Sequence, residues 1–354
     1  MRILIDIGHP AHAHFFRNPI RLLVEHGHEV IVTSRDKEMA LDLLDHFGIE
    51  HVSLSALGKG GIFSLGYELI VRDYRLYRIV SKQRPDVMAA IGGVFISHVG
   101  RLTGIPSLVF YDTENASLQN AITYPFASTV ITPTCYKAWL PRGRSVRYRG
   151  YHELSYLHPK YFHPDREKAL GNGLAATGDT FLLRLVSWKA SHDLREGHWT
   201  VDLVERLVAK LEALGKVLIS SEGPLPGALE RRRYAGDPAE IHHVMAFCRA
   251  YVGESATMAS ECAVLGIPAV YAAETGRGYT DEQDERYGLV KNIRRLEWDR
   301  IEQAVDSILG EHESRWAEAR SALLSDTIDV AEFVTEFIEG YGDPSSRSTQ
   351  AGAN

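Results

Sequence analysis

The feature that most limits the fold of this chain is the regular alternation of short apolar stretches with amphipathic helical stretches. In the first half, the apolar stretches that predict strands are residues 3–7, 29–33, 51–54, 86–91, 107–111 and 129–132. After an irregular stretch at 142–171, further strands are predicted at residues 181–187, 216–221, 251–252 and 268–272. Strands that alternate with helices form parallel sheets through right-handed crossovers, so the pattern predicts an α/β protein.

The chain is long enough for two domains. Its 354 residues exceed what one hydrophobic core usually serves, and the alternation of strands and helices occurs twice. We expect a first domain at residues 1–160 and a second at 161–327, followed by a last helix at 328–342. Residues 343–354, rich in Ser, Gly and Asn, are predicted to be disordered.

Composition and charge exclude several classes of protein. The formal net charge is −7, so no global positive field favours nucleic acid. The three cysteines, Cys135, Cys248 and Cys262, are odd in number and far apart, which fits a reducing compartment better than a disulfide framework. The sequence has no signal-peptide pattern at its start and no apolar run of the roughly 18 residues that span a membrane. We therefore expect a cytoplasmic protein, with peripheral membrane contact left open.

The segment 251–268 carries the most specific candidate for a binding site. A predicted strand ends at Gly253, Ser255 is placed to cap the next helix, and Ala256 and Thr257 open its first turn. Free backbone N–H groups and a positive dipole end at such a helix start suit a diphosphate. Glu261 lies one turn further along on the face of Thr257, where it would accept hydrogen bonds from ribose hydroxyls. The alternative is an ordinary capped helix with a solvent-facing Glu261.

This segment resembles the donor-binding motif of the GT-B superfamily, which includes nucleotide-sugar glycosyltransferases and non-hydrolysing UDP-N-acetylglucosamine 2-epimerases. The shared features are a small-residue turn, a helix with an internal Glu and a Leu-Gly-x-Pro ending at residues 265–268. The opening run DIGHP at 6–10, the pair FF at 15–16 and the run GHEV at 27–30 resemble the DUF354 family of that superfamily. The resemblance reaches to about residue 340. One departure is Ala256, where relatives often have Gly.

The resemblance implies a GT-B architecture, with two Rossmann-like, doubly wound α/β domains that face a cleft. The first domain would hold the acceptor and the second the nucleotide sugar. It also implies that the final helix, 328–342, packs back on the first domain.

Other residues of the second domain fit the same nucleotide-sugar site. Lys189 and His192 follow the first strand of this domain and would contact phosphate or sugar, although His192 would equally serve as a surface helix cap. Ser221 and Glu222 end the next strand and would flank the base or the diphosphate. His242 opens the helix before the main motif, where related proteins contact the nucleotide.

The first domain offers candidates for a catalytic base. His9, His12 and His14 follow the first strand, and His9 is the favoured base because it lies nearest the strand end. The spacing of these three histidines also allows loose metal binding, but no carboxylate partner stands out. Asp112 or Glu114 follows another strand and would act as a general base, while capping of the loop is the structural alternative for Asp112.

The predicted function is a metal-independent glycosyltransferase in glycan or cell-surface polysaccharide biosynthesis. It would use a nucleoside-diphosphate sugar, most simply UDP-linked, with no further cofactor, and a glycan or lipid-linked acceptor. Its predicted catalytic residues are His9, Asp112 and His192. The alternatives are a 2-epimerase-like isomerase and a non-catalytic nucleotide-sugar-binding protein. Residues 117–120 lack the acidic pair that the epimerases carry, and the acidic run at 280–285 is predicted to be a solvated helix start. The sequence does not indicate an oligomeric state.

Overall fold

The computed structural model describes residues 1–35, 38–54, 62–186 and 199–342. The described chain divides into two compact units. Unit 1 consists of Met1–Tyr156 together with the segment that begins at Ile328, and unit 2 is Leu157–Thr327. The predicted tail at 343–354 lies outside the described residues.

Unit 1 is built on a parallel sheet of seven strands. They are β1 (Arg2–Ile7), β2 (Glu29–Ser34), β3 (His51–Ser53), β4 (Val87–Ile91), β5 (Ser107–Phe110), β6 (Thr129–Pro133) and β7 (Ser145–Tyr148). Their order across the sheet is β3-β2-β1-β4-β5-β6-β7, and each neighbouring pair is parallel. The direction of winding therefore reverses between β1 and β4.

Helices connect these strands. They are α1 (Pro10–Glu25), α2 (Glu38–His46), α3 (Ile62–Gln83), α4 (Val94–Thr103), α5 (Ser117–Thr123) and α6 (Leu154–Leu157). Residues 3–7 of β1 are all buried. Because successive side chains of a strand point to opposite faces, both faces of the sheet are covered at β1.

Unit 2 repeats the design with five parallel strands. They are β8 (Asp179–Leu185), β9 (Gly215–Ser221), β10 (Ala250–Gly253), β11 (Ala269–Ala272) and β12 (Val290–Ile293), in the order β12-β11-β10-β8-β9. The helices are α7 (Arg166–Gly171), α8 (Val201–Glu212), α9 (Ile241–Met245), α10 (Ala256–Leu265), α11 (Gly278–Glu282), α12 (Trp298–Leu309) and α13 (Glu313–Asp326). Short 3-10 turns occupy Gly227–Arg232 and Pro238–Glu240, and a π turn occupies Gln283–Tyr287.

The last helix, α14 (Val330–Gly342), belongs to unit 1 and packs against α1. Glu339 of α14 accepts hydrogen bonds from His26 and His28 at 2.7 and 2.9 Å. The Tyr341 hydroxyl lies 2.9 Å from the Thr129 hydroxyl of β6. Unit 1 is therefore assembled from two separate stretches of the chain.

The prediction of two Rossmann-like α/β domains with parallel sheets is confirmed, but several elements were not predicted, among them the short helices α6 and α7 in the stretch 142–171 and three further elements. Two of them, β7 and β12, are the edge strands of their sheets, and most of their residues are only partly buried. A half-exposed edge strand does not need a continuous apolar run, so its sequence gives a weak strand signal. The third is the short helix α5, in which Leu118 is largely exposed.

The run 280–285, expected to be a solvated helix start, lies in α11 and the π turn and is only partly exposed. Thr280 and Gln283 are fully buried within α11 and the π turn. The acidic side chains are held by partners: Asp281 accepts a hydrogen bond from Arg294 at 2.5 Å, and Asp284 accepts one from the Asn292 backbone at 3.0 Å. Part of the run therefore packs toward β12, whereas Glu285 is exposed.

Candidate functional site

A cavity of about 430 Å³ opens in unit 1 at the carboxyl ends of β1, β4 and β5. It lies where the winding of the sheet reverses between β1 and β4, which is where open parallel sheets bind ligands. The polar side chains that line it include Asp6, His9, His12, Arg72, Asp112 and Gln119.

The three histidines of the first loop have three different environments. His9 is exposed, and its Nδ1 accepts a hydrogen bond from the Ala11 backbone N–H at 3.2 Å, so this side chain caps α1. His14 is buried, with its ring centroid 5.4 Å from that of Phe47 and 5.3 Å from that of Tyr156. His9 and His12 both line the cavity, whereas His14 packs into the interior of unit 1.

His12 is held as a neutral imidazole. The Gly8 backbone N–H donates a hydrogen bond to its Nδ1 at 3.2 Å. Burial, with a smaller contribution from His9, lowers the pKa of His12 to about 3, although the carboxylate of Asp112 acts in the opposite direction. The choice of His9 as the catalytic base stays a prediction, and the structure places both His9 and His12 at the cavity.

Asp112 presents an ionised carboxylate at the end of β5. Burial alone would raise its pKa, but His152 and the Thr113 hydroxyl outweigh burial and lower the pKa of Asp112 to about 2. Its Oδ2 lies 3.3 Å from Nδ1 of His152, and its Oδ1 accepts a hydrogen bond from Thr113 at 2.9 Å. The carboxylate is thus fixed by two partners.

Sequence reasoning missed His152. This side chain is only 6% exposed, its ring lies parallel to that of Tyr148 at 6.4 Å, and its Nε2 has no hydrogen-bond partner among the described residues. It falls in the stretch 142–171 that was predicted to be an irregular connection, and no local pattern links it to Asp112, 40 positions earlier in the chain.

A buried ion pair forms part of the cavity lining. Arg72 donates to both carboxylate oxygens of Asp6, at 3.1 and 3.0 Å, and the Thr33 hydroxyl donates to the same carboxylate at 2.8 Å. The Arg72 guanidinium also lies 4.2 Å from the centre of the Phe95 ring. The signal that could have revealed this pair is one acidic residue inside an apolar strand and one arginine on the buried side of a helix.

Main-chain groups at the start of α4 line part of the cavity. Gly92 and Gly93 have φ angles of +70° and +38°, and a Cβ on Gly93 would meet a methyl group of Val109 at 2.7 Å. Among the described residues, no side chain makes a capping hydrogen bond at the start of α4. Both glycines line the cavity, so this loop presents main-chain groups to a ligand.

In unit 2, the segment 251–268 forms the predicted strand, turn and helix. A Cβ on Gly253 would meet the Arg184 carbonyl oxygen at 2.5 Å, so the end of β10 requires glycine. The Ser255 hydroxyl accepts a hydrogen bond from the Met258 N–H at 3.3 Å and caps α10. Ala256, which is buried, and Thr257, which is partly exposed, form the first turn.

Two predicted residues of unit 2 meet each other. Glu261 is only 6% exposed, and its Oε1 lies 2.9 Å from Nε2 of His242, which is also buried. The alternative of a solvent-facing Glu261 was therefore wrong. The pair links α9 to α10 one turn behind the capped helix start.

The remaining predicted residues of unit 2 lie at the end of β9 or outside the described residues. The Ser221 hydroxyl donates to the Gly223 carbonyl at 3.0 Å, and Glu222 accepts a hydrogen bond from Arg184 at 2.6 Å. Lys189 and His192 fall within residues 187–198, outside the described residues.

Within residues 1–35, 38–54, 62–186 and 199–342, no three His, Cys, Asp or Glu side chains form a group that could hold a metal ion. No helix in the same part of the chain is both long enough and apolar enough to cross a membrane.

The two parallel sheets and their helices define a two-domain, Rossmann-like α/β protein of GT-B type. The family model described as "Protein of unknown function (DUF354)" matches residues 1–276, and the chain belongs to this family. The resemblance found in the N-terminal motifs is thus confirmed. A relative, "Uncharacterized protein MJ0665" of Methanocaldococcus jannaschii, is 24% identical over 283 residues, which cover 76% of this chain and 80% of the relative.

Solved structures share the fold across both units. The UDP-GlcNAc 2-epimerase from Neisseria meningitidis bound to UDP-GlcNAc has a TM-score of 0.69 at 13% identity, covering 95% of this chain and 99% of its own. The glycotransferase of kitacinnamycin has a TM-score of 0.62 at 15% identity, covering 96% of this chain and 98% of its own. At these identities the likeness concerns the fold.

Proposed function

We propose that this protein is a nucleotide-sugar enzyme, and that it acts as a metal-independent glycosyltransferase on a UDP-linked sugar. The observation that carries the proposal is the start of α10. There, Ser255 caps the helix through Met258, and the N–H groups of Ala256 and Thr257 precede the capped position. A helix start of this kind binds phosphate through its N–H groups and its dipole.

Unit 2 would hold the diphosphate at Ser255, Ala256 and Thr257. The same N–H groups would stabilise the negative charge that builds on the leaving diphosphate, and removing one such donor typically slows a reaction about 100-fold or more. Glu261, oriented by its hydrogen bond with His242, would accept a ribose hydroxyl. Ser221, Glu222, Lys189 and His192 are proposed to contact the base, the phosphates or the sugar.

Unit 1 would supply the group that deprotonates the acceptor, and we assign this role to Asp112. Its carboxylate is ionised at neutral pH and lines the cavity. Because its pKa is about 2, it is a weak base, so the proton would move late, after the new bond to the sugar has acidified the acceptor hydroxyl. His9 suits the role less well, since its Nδ1 lone pair is used to cap α1 and the neutral ring then carries its proton on Nε2.

The proposed acceptor is a glycan or a lipid-linked glycan of a polysaccharide pathway, and the proposed location is the cytoplasm, with peripheral membrane contact during the reaction. A cavity lined by carboxylate, amide and imidazole groups suits a molecule rich in hydroxyls. No metal ion or other cofactor is part of the proposal.

The second candidate is epimerisation at C2 of a UDP-N-acetylhexosamine. The whole-chain likeness to the epimerase fold favours it, because that TM-score is higher than the one for the glycotransferase. Such a reaction breaks the bond between C2 and its hydrogen, so the product takes up a hydrogen from solvent.

The two reactions are separated by incubating the protein with UDP-N-acetylglucosamine in D₂O, with and without a panel of glycan and lipid-linked acceptors. Transfer gives UDP and an elongated acceptor, with no deuterium at C2. Epimerisation gives a deuterated 2-epimer without any acceptor. Asp112→Asn should abolish transfer, while Asp86→Asn, which alters an exposed aspartate elsewhere in unit 1, serves as the matched control. Full transfer activity in Asp112→Asn would contradict the assigned base.

A further inference from the structure

We propose that His12 is a permanently neutral hydrogen-bond donor, which offers its Nε2–H to an oxygen atom of the substrate in the unit 1 cavity. The nature of that substrate rests on the proposed function. The donor state of the ring rests on its contact with the Gly8 backbone N–H, and its burial supports the neutral form.

The tautomer of His12 follows from one contact. A peptide N–H can only donate, and the Gly8 N–H lies 3.2 Å from Nδ1 of His12, so Nδ1 must act as an acceptor. The single ring proton of the neutral imidazole is then on Nε2, at the opposite edge of the ring. Among the described residues, the ring makes no other hydrogen bond, so Nε2–H is the edge that is left for a ligand.

The ring is held in place by regular structure on both sides. Gly8 directly follows β1, and His12 lies in the first turn of α1, which Pro10 and the His9 cap fix at its start. A Cβ on Gly8 would lie 3.8 Å from Cε1 of His12, so the ring covers this turn closely. The donor is therefore preorganised and needs no rearrangement when a ligand binds.

Most of the charged groups around the ring oppose a second proton, whereas Asp112 favours it. Two of the groups that face it are His9, from the loop after β1, and Asp112, from the end of β5. The other two are His152, which lies just before α6, and Arg72 of α3. The charge of Asp112 is already engaged with His152, and Arg72 places a cation on the same side of unit 1. Together with burial, these surroundings keep the pKa of His12 far below neutral pH.

A histidine in this state has a defined chemical role. It cannot take a proton from an acceptor near neutral pH, because its only free edge already carries hydrogen. It can donate to a hydroxyl, carbonyl or phosphoryl oxygen and stabilise negative charge there. The unit 1 cavity would then have two fixed roles, with His12 as the donor and Asp112 as the acceptor of hydrogen bonds.

The direct test is the state of the ring in solution. In protein labelled with ¹⁵N at histidine, His12 is assigned as the signal set that disappears in His12→Gln. We expect the pattern of an Nε2–H tautomer that does not change between about pH 5 and pH 8. A titration of His12 with a midpoint in that range, or an Nδ1–H tautomer, overturns the proposal.

A matched pair of variants tests the donor role. His12→Gln keeps a side-chain N–H near the position of Nε2, whereas His12→Leu has a similar size and no donor. We expect kcat to fall about 100-fold or more in the Leu variant and to stay within about tenfold of wild type in the Gln variant, with the wild-type shape of the pH profile. Melting curves establish that both variants are folded. Equal losses in the two folded variants overturn the donor role.

The two tests separate this inference from the proposed function. If no nucleotide sugar is turned over by the wild type, the proposed function fails, and the ¹⁵N spectrum still decides the state of His12. If turnover is found and His12 titrates near neutral pH, the proposed function stands and the inference fails.

Discussion

The neutral state of His12 has a consequence for the stability of unit 1. In the unfolded chain this histidine has the ordinary pKa of 6.5, whereas in the folded chain its pKa is about 3. Between these values, the unfolded state binds a proton that the folded state does not bind. Stability contributed by the neutral ring is therefore complete above pH 6.5 and is lost as the pH falls toward 3.

The size of this loss depends mainly on the unfolded pKa. Between about pH 7 and pH 5, protonation of an ordinary histidine in the unfolded chain lowers the free energy of unfolding by about 2 kcal/mol. The folded pKa hardly enters this figure, since the folded ring remains neutral throughout that range. A glutamine at position 12 does not titrate, so subtracting the curve of His12→Gln cancels the other titrating groups.

The assay must report on unit 1 by itself, because two compact units need not unfold together. Hydrogen exchange of the β1 and β4 amides, followed at several urea concentrations, gives the free energy of unfolding for this unit. We expect wild type to lose about 2 kcal/mol more than His12→Gln between pH 7 and pH 5. Parallel curves for the two proteins would refute the reasoning.

His98 provides a control of opposite sign. The hydrogen bond that His98 donates to the Asp73 carboxylate raises the pKa of His98. Burial lowers this pKa, and a second hydrogen bond, donated to the Ile122 carbonyl, raises it further. Stability from a raised histidine pKa is present below the unfolded value and is lost as the pH rises through the folded value. Relative to wild type, His98→Gln should therefore lose stability at acidic pH and recover it at higher pH. A curve of the same sign as that of His12→Gln would show that the assay does not resolve single groups.

Three further changes test other parts of the account by urea unfolding. Arg72→Leu leaves the carboxylate of Asp6 buried without its cation and should cost about 3–5 kcal/mol, and a loss under 1 kcal/mol would contradict a buried ion pair. Ser255→Ala removes the cap of α10 and should cost about 1 kcal/mol, whereas an unchanged midpoint would mean that the cap contributes nothing. Gly93→Ala places a Cβ at a positive φ and against the side chain of Val109, whereas Gly143→Ala places one at a positive φ in open space. The first change should therefore lower the free energy of unfolding more than the second, and equal losses would contradict the close packing at Gly93.

The sequence predicts the parts of the fold that rest on local patterns. Buried strands such as β4 and β10 are continuous apolar runs, and the capped start of α10 is visible from Ser255 and the small residues after it. The edge strands β7 and β12 were not predicted because most of their side chains are partly exposed to solvent. Such strands need fewer apolar residues, so their signal in the sequence is weak.

The partners of the site residues could not be predicted, because each pairing is made by the tertiary fold. Asp6 meets Arg72 across 66 positions of the chain. His242 meets Glu261 across 19 positions, and neither residue type carries a local sign of its partner. The location of Asp112 could be predicted, because it follows a parallel strand and the carboxyl ends of such strands share one edge of the sheet. The structure places Asp112 in the cavity at that edge.

The central claim is that the start of α10 binds a nucleoside diphosphate, and calorimetric titration tests it most directly. Wild type, Glu261→Gln and Glu230→Gln are titrated with UDP, GDP, dTDP and UDP-N-acetylglucosamine. Glu230 is an exposed residue of unit 2 and serves as the control, while Gln at 261 keeps an oxygen for the contact with His242. We expect micromolar binding of one diphosphate, tightest for UDP, that weakens at least about tenfold in Glu261→Gln alone. A folded wild type that binds none of these ligands would contradict it.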